Sequence, residues 1–225
     1  MMLQKNTVEE NTFRILKVLQ KDENLNGFYL VGGTALALKI GHRRSIDLDF
    51  FSPEPFDTFS LSDYLSEKYG FVKSNQASKS KVILQGFIED VKTDWVVNNY
   101  PFAENPETIE GIRLYSLRDI AAMKLIAIAD TGSRLKDFVD VAYLSAIMSL
   151  NEMLDAYEKK YNIDKVRVIL GITYFSDIDY TTKIDLIDAA YRFEPIRERL
   201  HDMKHNPDKV YPDFPIKKTK LSNNN

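Results

Sequence analysis

Apolar residues recur every three or four positions through Val8, Phe13, Ile15, Leu16, Val18 and Leu19, which predicts an opening helix over residues 7–21. The next apolar run, Phe28 to Val31, is short and ends at Gly32 and Gly33, as a strand does on entering a tight turn. Thr34 is placed to cap a short helix, ALALKI, that stops at Gly41. The period then changes: over residues 45–51, Ile46, Leu48 and Phe50 alternate with Ser45, Asp47 and Asp49, so a second strand is expected with both aspartates on one face. After Pro53 and Pro55 the helical period resumes in LSDYLSEKYG, closed by Gly70.

Residues 81–88 and 91–97 read as a hairpin turning at Glu89 and Asp90, with Lys92, Asp94 and Val96 on one face of its second strand. Residues 98–111, interrupted by Pro101 and Pro106, read as a linker or crossing loop, with no strand-like alternation beyond them. Ser116 and Asp119 form a capping signature before IAAMKLIAIA, and Ser133 is placed to cap RLKDFVDVAYLSAI. Further helices are expected over 151–160, 164–170 and 183–200. Strands followed by helices give an α+β class, with an α+β domain over 1–112, a helical domain over 113–205 and a flexible tail over 206–225.

Composition narrows the chemistry. The 225 residues, 44% of them hydrophobic, suffice for a sizeable core. Cysteine is absent, which excludes disulfides, thiolate zinc sites and a cysteine nucleophile. Of three histidines only His201 and His205 lie close in sequence, so a metal here is expected on oxygen ligands, which suits magnesium or manganese. A net charge of -3 gives no global basic footprint. The local clusters His42–Arg43–Arg44, Lys79–Lys81 and Arg192–Arg197–Arg199 are expected to be solvated surface, with His42 exposed and silent. No apolar run is long enough to span a bilayer and MMLQKNTVEE lacks a signal-peptide core, so a cytoplasmic location without membrane contact is expected.

An unpaired carboxylate is costly on an apolar strand, so Asp47 and Asp49 call for an explanation. Asp94, mid-strand in the hairpin, is placed to complete a three-acid cluster. Convergent acids repel one another unless a divalent cation neutralises them, as in two-metal phosphoryl transfer. Gly32 and Gly33 would let a phosphate chain approach the N–H groups that open the following helix, with the Thr34 hydroxyl adding a donor. Lys124 is flanked on both sides by apolar residues, so its ammonium either snorkels to solvent or meets an anion. Asp137 and Asp140, three apart, share a helix face that is either an exposed salt-bridged surface or active-site support. Trp95, Phe50, Phe51, Tyr174 and Phe175 are expected in the core rather than as base-stacking platforms.

The stretches GGTALAL, HRRSIDLDFF, RDIAAMKLIAIADTGSRLKDFVDVAYL and, more loosely, GITYFSDID resemble the AbiEii/AbiGii toxin branch of the nucleotidyltransferase superfamily. The resemblance implies a nucleotidyltransferase-like mixed sheet flanked by helices and followed by a helical domain. It implies transfer of a nucleoside monophosphate from a nucleoside triphosphate to a hydroxyl, with pyrophosphate leaving. Asp47 and Asp49 would hold two magnesium ions, with Asp94 as third acid near the attacking hydroxyl. Lys124 would bind phosphates, Asp137 would serve as base or as the lysine's partner, and Arg134, Lys136 and Asp140 would hold their helix in register, the first two also near the nucleotide. Arg43 and Arg44 would either contact phosphates or an acceptor, or form a mobile surface turn. An RNA acceptor, the 3′ end of a tRNA, and a cognate antitoxin encoded nearby are further implications. A nucleotidyltransferase acting on small hydroxyl compounds and a non-catalytic nucleotide-binding module are the alternatives. On the catalytic reading, Asp47→Asn or Lys124→Ala abolishes transfer and leaves the fold intact.

Overall fold

A computed structural model of the chain describes residues 2–74 and 81–217, so Lys79 and residues 218–225 lie outside the described residues. The chain divides into two units. The first comprises residues up to Gly41 together with Ser45–Ser116, and the second comprises His42–Arg44 together with the chain from Leu117 onward.

The first unit is built on a mixed seven-stranded sheet. In chain order its strands are β1 (Tyr29–Val31), β2 (Leu48–Ser52), β3 (Val72–Lys73), β4 (Ile83–Ile88), β5 (Val91–Val97), β6 (Glu107–Ile109) and β7 (Ile112–Leu114). They lie side by side as β3-β4-β5-β2-β1-β7-β6. Strand β2 runs antiparallel to β1 and parallel to β5. The hairpin β4–β5 turns at Glu89 and Asp90, both at positive φ (46° and 65°), as a two-residue primed turn requires. Helices α1 (Glu10–Gln20), α2 (Gly32–Ile40) and α3 (Thr58–Tyr69) pack on this sheet.

Alternation fixes which residues face the core. Leu48, Phe50 and Trp95 are buried on one face, where the Phe50 and Trp95 rings stack at 4.4 Å between centroids. That pair sits directly opposite across β2 and β5, which sets Asp49 opposite Asp94. The core assignment of Phe50 and Trp95 holds, whereas Tyr174 is 51% exposed.

Three elements differ from the sequence pattern. Helix α2 begins at Gly32 rather than after Thr34, because the two glycines enter the helix directly from β1. Strands β6 and β7 fall in and beyond the stretch read as a loop; at three residues each they are too short to show a period. Ile46 precedes β2 and is 57% exposed, and Asp47 also lies just before the strand rather than within it.

The second unit is helical: α4 (Leu117–Asp130), α5 (Leu135–Leu144), α6 (Leu150–Tyr161), α7 (Val166–Gly171) and α8 (Phe193–His205). Residues 183–192, expected as helix, instead run partly extended, and Leu186 pairs with Arg43 as an isolated antiparallel bridge. After α8 the chain continues through buried Tyr211 and Ile216, the amide of Tyr211 donating to the Ser145 carbonyl at 3.0 Å. Among the described residues no helix is long and apolar enough to cross a membrane.

Candidate active site

Two of the candidate acids sit side by side on the central strands, with Asp47 just before the first of them. Asp49 on β2 and Asp94 on β5 are directly opposite, and Gln85 on β4 is opposite Asp94 on its other side. Asp47 and Asp49 are half-buried, while Asp94 is 8% exposed. Two groups hold Asp94 Oδ2: Lys92 Nζ at 2.6 Å and Gln85 Nε2 at 2.9 Å. Its other oxygen, Oδ1, is buried with no hydrogen-bond partner among the described residues. Burial works against the Lys92 charge, but the Asp94 hydrogen bond and the fields of Asp94, Asp49 and Asp47 outweigh it and hold the ammonium above the usual lysine range. The ammonium contacts Asp94 and feels the charge of the other two acids. The sequence places Lys92 two residues before Asp94 on the same strand face but assigns it no role; that spacing was the available signal.

The Gly-Gly turn is fitted to this cluster. Gly32 has φ +68°, and a Cβ added there would stand 2.7 Å from Asp49 Oδ2. The N-cap of α2, Val31, offers no side-chain acceptor, so the first turn of this helix carries N–H donors without a side-chain cap. Thr34, placed by the sequence near a phosphate, is buried, and its hydroxyl bonds the Asp47 main-chain carbonyl and, at 2.8 Å, Ser45 Oγ. It thereby holds the segment that carries Asp47. Gly32→Ala is expected to cost ~1–2 kcal/mol through left-handed backbone strain. Because the new methyl must also push Asp49 aside, turnover should fall further than the lost stability explains. Thermal unfolding and turnover measured on the same preparation check this; unchanged turnover would separate Gly32 from the site.

The second unit holds the other candidates. Lys124 on α4 is 5% exposed and pairs with Asp137 Oδ1 at 2.7 Å and Asp140 Oδ2 at 2.8 Å, both on α5. Asp140, fully buried, also accepts from Arg43 Nε at 2.7 Å, Arg43 Nη2 at 2.9 Å and His42 Nε2 at 2.8 Å. Of the two readings of this helix face, the exposed salt-bridged surface is excluded, since both acids are at most 2% exposed. Lys124 does not snorkel; it meets carboxylates. Two buried cations balance two buried acids, the condition under which such charges can leave water. Main-chain bonds secure the segment that brings in His42 and Arg43: the Arg44 amide donates to Asp185 O at 2.8 Å and the Ile187 amide to His42 O at 3.0 Å.

The expectation of an exposed, silent His42 is thus corrected: it is 2% exposed, and its Nδ1 has no partner among the described residues, which fits a neutral ring donating through Nε2. Arg43 is buried against Asp140 and forms no mobile turn, while Arg44 is exposed and lies 3.3 Å from Asp185. Arg134 is largely exposed, 3.5 Å from Asp137. Lys136 is half-buried, with no hydrogen bond or ion pair among the described residues. A second buried pair, Lys160 with Asp119 at 2.8 Å, joins α6 to α4 and had no signal in the local pattern. The loosely matching stretch GITYFSDID contributes Gly171, Tyr174 and Asp177 to a cleft of about 490 Å³ beside the end of α4.

These charges make the second unit acid-sensitive. Burial lowers the His42 pKa, outweighing the pull of Asp140, so the folded ring stays neutral where the unfolded one, titrating near ~6.5, takes a proton. Burial alone would raise Asp140, but Arg43 and Lys124, with hydrogen bonds from His42 and Arg43, hold it well below the carboxylate range. Its contribution is complete above the unfolded value of ~3.9 and is lost as pH falls towards the folded one. Lys124 is desolvated, yet Asp140 and Asp137 hold its pKa up, so its contribution is lost only at strongly alkaline pH. The thermal midpoint is therefore expected to fall on acidification in two stages, first below ~6.5 and then below ~4. His42→Gln should remove the first stage only; a wild-type midpoint flat from ~7 to ~4 would contradict this account.

Residues 14–214 match the family model described as nucleotidyl transferase AbiEii toxin, type IV TA system. The Aquifex aeolicus (strain VF5) protein aq_aa25 is 41% identical over 159 residues, 68% of this chain and 75% of that protein. Among solved structures, JHP933 from Helicobacter pylori is similar with a TM-score of 0.53 at 20% identity, covering 91% of each chain. MenT4, the nucleotidyltransferase toxin Rv2826c from Mycobacterium tuberculosis H37Rv, gives a TM-score of 0.59 at 13% identity over 87% of this chain and 84% of its own. At these identities the two structures show a shared fold.

Proposed function

The chain belongs to the AbiEii nucleotidyl transferase toxin family of type IV toxin–antitoxin systems, and on that premise we propose that it moves a nucleoside monophosphate from a nucleoside triphosphate to a hydroxyl of an RNA, the 3′ end of a tRNA being the first acceptor to test. The observation that carries this reading is Asp49 directly opposite Asp94 on neighbouring strands, with Asp47 two residues before Asp49, beside a helix start without a side-chain cap.

Among the described residues no three acidic or histidine side chains are grouped as a ready metal cage. That suits magnesium, which binds through one or two carboxylates and completes its shell with water and substrate phosphates. Asp47 and Asp49 would hold magnesium or manganese, which supplies charge neutralisation for the triphosphate. The N–H groups opening α2 meet phosphate oxygens, an approach that the missing side chain at Gly32 permits. The acceptor oxygen bonds to the α-phosphorus, the bond to the β-phosphate breaks, and pyrophosphate carries away the electron pair. Asp94 orients the acceptor hydroxyl and takes its proton. No covalent intermediate is needed, so rate enhancement rests on positioning and charge.

In the second unit the Lys124 charge is committed to Asp137 and Asp140, which makes these three a brace between α4 and α5. Arg134 and Lys136, on the surface side of α5, are proposed to take phosphates of nucleotide or acceptor. Cytoplasmic action and a cognate antitoxin encoded beside this chain belong to the same proposal.

The test is incubation of the purified protein with each of the four labelled triphosphates and magnesium, against total cellular RNA and against small hydroxyl compounds, followed by sequencing of RNA ends. One added nucleotide species at RNA 3′ ends is expected. Label on small compounds alone would replace the RNA acceptor, and pyrophosphate release with none of them would overturn the transfer reading.

A further inference from the structure

Lys92 differs from the two buried lysines that pair with acids, Lys124 and Lys160. Lys124 and Lys160 are buried with their carboxylates, at side-chain exposures of 6% or less, and have nowhere else to go. The Lys92 side chain is 41% exposed although its ammonium reaches a carboxylate that is only 12% exposed. The lysine side of the pair is open to solvent, so the ammonium can leave Asp94 for water. Two features show that Asp94 is prepared for that opening. Gln85 also holds Oδ2, so the carboxylate keeps its orientation without the lysine. Oδ1 is buried and unpartnered, which leaves Asp94 incompletely satisfied by the residues around it.

We propose that Lys92 is the resident counter-ion of the carboxylate site, seated on Asp94 opposite Asp49 in the empty enzyme and giving way when a divalent cation arrives with the triphosphate. The proposal rests on the nucleotidyltransferase reading above and adds an order to it. A fixed positive charge at the acids opposes a bare divalent cation, whereas a metal carried by phosphates brings its own negative charge. Nucleotide and metal therefore enter together, and hydroxyl activation at Asp94 waits for the lysine to leave. Lys92 is in this sense a positioning residue, acting through Asp94.

The experiment is a titration of full-length protein with Mn²⁺ in the absence of nucleotide, following free Mn²⁺ by electron paramagnetic resonance. Lys92→Met is expected to bind Mn²⁺ ~10-fold or more tighter than wild type, since removing a like charge this close strengthens cation binding. Lys92→Gln, which keeps a donor for Asp94 without the charge, should show the same gain, and Lys92→Arg should follow wild type. Unchanged or weaker Mn²⁺ affinity in both neutral variants would overturn the proposal. A parallel titration of wild type with a non-hydrolysable triphosphate separates the two claims. If Mn²⁺ binds there while the neutral variants show no gain, only the counter-ion role fails. If wild type binds no Mn²⁺ even with the triphosphate, the metal-dependent reading itself fails.

Discussion

Asp49→Asn is expected to reduce nucleotidyl transfer by ~10³-fold or more and to shift the thermal midpoint by no more than a few degrees. The substitution preserves shape, and the site is half-buried on a strand whose position is set by Phe50 stacked on Trp95 rather than by the carboxylate. What is lost is a full negative charge where a divalent cation must sit, a contribution of several kcal/mol, and each ~1.4 kcal/mol is a factor of ten in rate. Asp47→Asn should behave alike, because its place is fixed by the Thr34 hydroxyl on its main-chain carbonyl and not by its side chain. Pyrophosphate release at saturating triphosphate measures the effect, and either variant retaining a tenth of wild-type turnover would contradict the assignment.

The largest effect on stability is expected from Asp140→Ala. This carboxylate accepts four contacts from Arg43, His42 and Lys124 in a site with no exposure. Removing it leaves a buried guanidinium with no acid and a lysine with one, and breaking such a cluster costs ~3–5 kcal/mol. For a protein of this size that is a fall of about 10 °C in the thermal midpoint of the second unit. Lys124→Ala belongs to the same class: the expectation that it spares the fold, drawn from the sequence, does not survive its burial between two acids. Scanning calorimetry of Asp140→Ala checks the magnitude, and a midpoint within a degree or two of wild type would show that the cluster holds nothing together.

Much of the first unit was readable in one dimension because its signals are local. Alternation placed β2 and β5, Glu89–Asp90 placed the turn of the β4–β5 hairpin, and Gly41 and Gly70 stopped α2 and α3 in the left-handed conformation. The order Gly-Gly, short helix, Asp-x-Asp was read as one site, and the structure adds that a Cβ on Gly32 would stand 2.7 Å from Asp49 Oδ2, so a side chain there would crowd the acid. Asp47 was placed one residue too deep, since alternation continues past the point where strand pairing begins. The short strands β6 and β7 carried too few residues to declare themselves.

The ion clusters were less legible, and the reason is distance along the chain. His42 and Arg43 looked like a solvated basic turn because their partner, Asp140, lies 98 and 97 positions away. Lys160 and Asp119 are separated by 41. Each residue seen alone reads as surface, and only tertiary packing turns it into half of a buried pair. Lys124 was recognised as anomalous from its apolar neighbours, but the pattern left the identity of its anion open; the structure supplies Asp137 and Asp140.

The central claim is that Asp47 and Asp49 hold a triphosphate through a divalent cation. Calorimetric titration with a non-hydrolysable triphosphate, with and without magnesium, tests it without needing the acceptor. Wild type should bind the nucleotide ~10-fold or more tighter with magnesium than without, and Asp49→Asn should lose that difference while remaining folded. Equal binding with and without the ion in wild type, or an undiminished magnesium effect in Asp49→Asn, would contradict the account.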